Sequence, residues 1–83
     1  MKVLYFAWLR ERLDRSEDEV APPAEVETVT DLVDWLAQRD EVLAAALEKR
    51  SIFKFAVDAR IVPPQTPLAG ADSVAILPPM TAG

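Results

Sequence analysis

Cysteine and histidine are both absent from these 83 residues, and glycine occurs only twice. Without thiols there is no disulfide framework, no zinc site of the usual kind and no cysteine nucleophile. Without imidazole there is no side chain poised as a general base near neutral pH. Carboxylates alone bind Mg²⁺ or Ca²⁺, but the acids are scattered and no loop repeats the calcium-binding spacing. Any catalysis in which the chain takes part therefore draws most of its catalytic groups from a partner.

Positive charge is also scarce. Nine basic residues against fourteen acidic ones leave a net charge of −5. A nucleic-acid binder needs a basic face to release counterions, so that class is excluded, and the balance fits a basic protein partner instead. No apolar run approaches the roughly 18 residues of a membrane span. The first residues lack a basic region followed by an apolar stretch and a cleavage site. The expectation is a cytoplasmic protein with neither membrane nor nucleic acid as partner. A chain this short makes one domain and buries about 60% of its unfolded surface, too little to enclose a deep cavity of its own. Its 51% hydrophobic and 28% charged residues mark it as globular rather than disordered.

Along the chain, Lys2 to Leu9 is β-branched and aromatic-rich and predicts a strand flanked on both sides. A short turn of helix is expected at Arg10–Leu13, a polar loop at Asp14–Asp18 and a short second strand at Glu19–Ala21, stopped by Pro22-Pro23. The acids Glu17, Asp18 and Glu19 are read as solvated. Thr28 and Asp31 form a capping-box pattern, and Val29, Leu32, Val33, Leu36 and Ala37 recur at helical spacing behind it. Trp35 falls at the edge of that stripe and is read, like Trp8, as a packing residue. Asp40 is placed to cap a second helical segment, Glu41–Lys49, with Val42, Leu43, Ala46 and Leu47 inside. Phe53, Phe55 and Val57 alternate as in a half-buried strand. Asp58-Ala59 reads as a tight turn into Arg60–Val62, and Ser73–Leu77 as the last strand. The order β-β-α-(α)-β-β-β, with strands at both ends, predicts an α+β domain over residues 1–77.

The last six residues, 78–83, form a distinct tail. Pro78-Pro79 ends the last strand because neither residue donates to a ladder. From Ser73 to Gly83 no side chain is charged, and the tip narrows through Met80, Thr81 and Ala82 to Gly83. Fully extended, the tail reaches about 20 Å. A frayed terminus is what most domain ends are. Two features point the other way: the diproline stiffens the tail's base, lowering the entropy lost on threading it into a partner, and the terminal carboxylate is unhindered. These are the demands of a terminus read inside a tunnel by another protein.

Several runs, in order, resemble the small subunits of molybdopterin synthase over nearly the whole chain. Val3–Ala7 followed by Arg10-Glu11 is similar to that family's opening strand and its Phe-Ala-x-x-Arg-Glu motif. Phe55-Ala56-Val57-Asp58 resembles its Ala-Val-Asn segment, with Asp58 in place of the usual Asn. Pro67-Leu68, Gly70, Asp72 and Val74-Ala75, then Pro78-Pro79, Thr81 and Gly83, match its final turn, strand and tail. The resemblance implies a ubiquitin-like β-grasp fold, a mixed sheet of four to five strands packed on one main helix with a second short helical segment.

It also implies a sulfur carrier that binds no cofactor and is not catalytic alone. An adenylating activating enzyme, using ATP and Mg²⁺, converts the Gly83 carboxylate to an acyl-adenylate, and a sulfur donor replaces AMP to leave a thiocarboxylate. The large synthase subunit, in a heterotetramer, then accepts the tail for dithiolene formation on molybdopterin. A carrier whose reactive group is its own chain end needs neither cysteine nor histidine. By the same resemblance Phe6, Arg10 and Leu77 contact the large subunit; alternation along the last strand sets Ala75 and Leu77 on its outer side. One departure is Ala82, where the family carries glycine; its Cβ is harmless if residue 82 is extended and the tunnel wall leaves space for a methyl. Two alternatives stand beside this reading: a related carrier of another pathway such as thiamine thiazole synthesis, or a β-grasp interaction module whose tail is inactive.

Overall fold

The computed structural model describes residues 1–79, so the readings of Met80, Thr81, Ala82 and Gly83 lie outside the described residues. Strand β1 (Lys2–Tyr5) leads into helix α1 (Ala7–Leu13), β2 (Glu17–Glu19), α2 (Val29–Arg39) and α3 (Glu41–Ala46). A 3₁₀ turn at Arg50–Ile52 precedes β3 (Lys54–Val57), β4 (Arg60–Val62) and β5 (Ser73–Leu77). The five strands form one mixed sheet in the order β2-β1-β5-β3-β4. Its central pair, β1 and β5, is parallel and the other neighbours are antiparallel. This is the expected α+β, β-grasp arrangement, with α2 as the main helix.

Period-two alternation sends Val3 and Tyr5, Val74 and Ile76, and Phe55 to one face of the sheet. There they meet Leu9 and Leu13 of α1, the Val29-Leu32-Val33-Leu36 stripe of α2, and Leu43 and Ala46 of α3. Each large apolar side chain buried here contributes about 1.5–3 kcal/mol. Helix α2 starts where Thr28 predicts: its hydroxyl accepts the Asp31 amide at 3.2 Å, and the Asp31 carboxylate accepts the amides of Glu27 and Thr28. Those two amides hold the Asp31 carboxyl below the usual carboxylate range.

The structure redraws four expectations. The apolar run through Leu9 is not one strand; β1 stops at Tyr5, and Ala7, at φ 52°, turns the chain into α1. Leu9 and Leu13, one helical turn apart, then bury on α1's inner face, so α1 is longer than the turn expected at Arg10–Leu13. Glu17–Glu19 is not a solvated loop but strand β2, two residues ahead of the predicted second strand, paired through Lys2↔Glu19 and Leu4↔Glu17. As an edge strand it tolerates charge, which guards it against pairing with another chain. Helix α3 ends at Ala46 rather than Lys49, with Val42 exposed instead of buried.

Two polar devices fix the frame. Arg15 donates to both oxygens of Asp18 at 2.9 Å and to Asp40 at 2.7 Å, while the Tyr5 hydroxyl donates to Asp18 at 2.7 Å. The other Asp40 oxygen caps α3, accepting the amides of Val42 and Leu43. One guanidinium thus ties the loop after α1 to the α2–α3 junction. Burial, reinforced by the Asp18 carboxylate, pushes the Tyr5 phenol well above the ordinary tyrosine range. The second device is the β3–β4 hairpin. Val57 pairs with Arg60, leaving a two-residue loop with φ of 48° at Asp58 and 71° at Ala59. Positive φ at both positions is what a type I′ hairpin turn demands. Aspartate tolerates it, and the Asp58 carboxylate accepts the amides of Asp72 and Ser73 at 2.9 Å, tying the hairpin to the start of β5.

Two stability measurements check these assignments. Ala59 carries a Cβ where glycine is favoured, so Ala59→Gly raises the unfolding free energy by about 0.5–1 kcal/mol in urea titration, the left-handed strain outweighing the entropy added to the unfolded chain. An unchanged or lower value contradicts the turn assignment. The hydrogen bond from Arg15 holds the Asp40 carboxyl below its ordinary range. A depressed folded pKa contributes stability above the unfolded value of about 3.9, and that contribution is lost as pH falls. Asp40→Ala therefore costs about 1–2 kcal/mol at about pH 7, and the deficit shrinks toward about pH 3. A deficit equal at both pH values refutes the charge's role.

Candidate functional site

Because β1 and β5 run parallel with Tyr5 beside Ile76, the residues that leave their C-terminal ends emerge together. Phe6 leaves β1 in extended conformation (φ −128°, ψ 160°) as the N-cap of α1, and its carbonyl accepts the Arg10 amide at 3.3 Å. Leu77 ends β5, and Pro78-Pro79 follows. Between these two exits and β3 lies a groove of about 450 Å³, lined by Phe6 and Ala7, Ile52 and Lys54, and Leu77, Pro78 and Pro79. Phe6 is 41% and Ile52 44% exposed, far more than core residues. Leu77 and Pro79 are half-buried and Pro78 is buried, so the tail leaves the body from a seated base.

The groove's chemistry is narrow. Lys54, opposite Leu77 in the register, is the one charged side chain among the described residues lining it. Beside that amine the lining carries no acid, hydroxyl or thiol, and among the described residues no group of three or more metal-ligating side chains comes together. A second hollow of about 200 Å³, lined by Tyr5, Arg15, Asp18, Arg39 and Asp40 among others, carries more polar groups. There, however, Tyr5, Arg15, Asp18 and Asp40 bond to one another, so its polarity is spent on the frame.

Of the interface residues expected from the sequence, Phe6 and Leu77 meet in the groove. Leu77 is half-buried rather than exposed, since the groove walls flank it. Ala75 stands at outward parity, yet it is buried between Leu4 and Ala56 in the register rather than presented. Arg10 is exposed on α1, a turn beyond Phe6, and does not line the groove. Three residues of this surface escaped the sequence reading. Ile61, 61% exposed, pairs with Ala56 and so lies on the same outer face of the sheet as Ala75. Its signal was an apolar residue at the outward position of a three-residue edge strand. Ile52 sits in a 3₁₀ turn that has no periodic signature, and Lys54 reads simply as the polar half of an alternation.

Comparison with known proteins extends along the whole chain. The model of the ThiS family matches residues 3–83. The molybdopterin synthase sulfur carrier subunit of Escherichia coli (strain K12) is 37% identical over 83 residues, 100% of this chain and 99% of that protein. Among solved structures, a putative molybdopterin converting factor, subunit 1, from Pyrococcus furiosus superposes with a TM-score of 0.71 at 27% identity, over 95% of both chains. The crystal structure of SAMP1 from Haloferax volcanii superposes with a TM-score of 0.73 over 99% of this chain and 97% of that one; at 22% identity it shares the fold. The chain belongs to the ThiS family and, within that likeness, to the sulfur carrier subunits of molybdopterin synthase.

Proposed function

We propose that the chain carries sulfur as a thiocarboxylate on Gly83 and docks through the Phe6–Leu77 groove on the large subunit of molybdopterin synthase, which completes the active site around the tail. The observation that carries this reading is the full-length similarity to a sulfur carrier subunit, which runs through the uncharged chain end to residue 83. The largely apolar groove beside Pro78 and Pro79 supports it.

The chemistry is then divided between proteins. A carboxylate is a poor acyl donor because its leaving group is oxide. An activating enzyme joins it to AMP from ATP with Mg²⁺, releasing pyrophosphate; sulfide delivered by a sulfur donor then attacks the carbonyl, AMP departs with the C–O electrons, and a thiocarboxylate remains. That anion is a strong nucleophile toward the pyranopterin precursor of molybdopterin. No side chain of this protein takes a proton in any step, and no cofactor resides on it. Pro78-Pro79 stiffens the start of the tail, so that little entropy is lost when Met80, Thr81 and Ala82 thread into the large subunit. In the proposed assembly two such chains sit at opposite ends of a large-subunit dimer, in the cytoplasm.

Incubation with the cognate activating enzyme, ATP, Mg²⁺ and a sulfur source raises the intact mass by about 16 Da, one oxygen exchanged for sulfur. No gain with an active enzyme refutes the carrier role. Deleting Ala82 and Gly83 abolishes sulfur transfer and leaves large-subunit binding intact; retained function in the deletion identifies an interaction module instead. Phe6→Glu weakens large-subunit binding by at least about 2 kcal/mol in calorimetric titration, as loss of a buried aromatic anchor does. Unchanged affinity places the interface elsewhere.

A further inference from the structure

We propose that Lys54 is a specificity residue of the docking groove, which meets a carboxylate of the large-subunit partner when that partner covers Phe6, Leu77 and the prolines. The inference rests on the docking proposed above and adds the charge that its partner must bring.

Among the described residues Lys54, like Arg10, Lys49 and Arg60, makes no ion pair and no ring contact, and of these four it alone lines the groove. Lys2 pairs with Glu17, Arg15 with Asp18 and Asp40, and Arg50 with Asp34. Arg12 and Arg39 lie over the rings of Trp8 and Trp35, with guanidinium carbons 5.1 and 4.3 Å from the ring centroids. Although acids outnumber bases fourteen to nine, none of the described carboxylates comes within 4.0 Å of the Lys54 ammonium. Its position in the sheet explains why. Lys54 leaves β3 opposite Leu77, on the face away from the helices, and the rest of the groove lining is apolar.

An exposed ammonium in such a place is stable in water and costs nothing while the groove is open. Covering Phe6, Ile52 and Leu77 strips water from it, and an ammonium buried without a counter-charge is strongly unfavourable. An occupant that offers only apolar side chains is therefore penalised. One that offers a carboxylate within about 4 Å regains the loss through an interaction strengthened by the drier surroundings. One that offers a basic residue is rejected. The same lysine discourages this apolar face from associating with copies of itself. The partner chemistry is thus an apolar surface with an acid at its centre, even though the carrier as a whole is acidic and the rim of its partner is expected to be basic.

The full-length chain and the large subunit are titrated against each other at low and high salt, with Lys54→Glu, Lys54→Met and Phe6→Glu. Each variant is first shown by thermal melting to be folded. Lys54→Glu weakens binding by about 30-fold or more, as reversal at a desolvated charge pair does, and Lys54→Met weakens it less while flattening its salt dependence. Replacing the facing large-subunit acid by lysine restores affinity for Lys54→Glu. If both Lys54 variants bind as the wild type does, within about threefold and with the same salt dependence, while Phe6→Glu fails to bind, the counter-charge is overturned and the docking surface stands. If Phe6→Glu also binds normally, the groove is not the interface and both fall.

Discussion

The parallel pairing of β1 with β5 is the constraint on which the rest of this molecule depends. It joins Lys2–Tyr5 to Ser73–Ile76, residues about seventy positions apart, in the middle of the sheet. Parallel neighbours cannot be joined by a tight turn, so everything between them serves as the connection, and its helices cover one face of the sheet. A further consequence is directional. Parallel strands end on the same side, so the turn into α1 and the start of the tail leave the body together. An antiparallel pair would have put Phe6 at one end of the domain and Pro78 at the other. The groove follows from strand direction, and the apolar side chains only give it character.

Strand pairing alone leaves the connection loose, and the polar contacts on the far side of β1 tighten it. Tyr5 faces the core, but its hydroxyl reaches Asp18 of β2, whose carboxylate is held by Arg15. Arg15 in turn reaches Asp40, the residue shared by the end of α2 and the cap of α3. One chain of donors and acceptors therefore fixes an edge strand and two helices relative to the central strand. Each contact is partly exposed and singly of modest worth. Their value lies in geometry, since they set α3 where Leu43 and Leu47 can close the core.

How much of this could be read from the sequence depended on whether the signal was local. The capping box at Thr28–Asp31, the α2 stripe, the Asp58-Ala59 turn and β5 from Ser73 to Leu77 were legible because each is decided within a few residues. The run Lys2–Leu9 misled because it has no charged residue after Lys2, and only a left-handed residue at Ala7, invisible to periodicity, divides strand from helix. Strand β2 was passed over because Glu17-Asp18-Glu19 has no strand propensity of its own; pairing with β1 overrides it. The groove was half legible. Phe6 came from the family resemblance alone and Leu77 from that resemblance and its place before the diproline, whereas Ile52 and Lys54 join them only through the β3–β5 register, a long-range fact.

If the chain carries sulfur as proposed, a division of labour between body and chain end accounts for the absence of cysteine and histidine from this sequence. A carrier whose reactive group is its own terminus has no use for an internal cavity, a thiol or an imidazole. What the body must supply is a rigid mount and a surface that only the right partner covers. The mount is the seated Pro78 at the end of a central strand, where pulling on the tail loads β5 between two neighbours rather than peeling an edge. The surface is apolar enough to hold and charged at one point. On the proposed reading the activating enzyme and the synthase use the same tail in turn, so neither contact can be so strong that the carrier fails to leave. A small groove with a single lysine, in place of a continuous hydrophobic face, fits that demand.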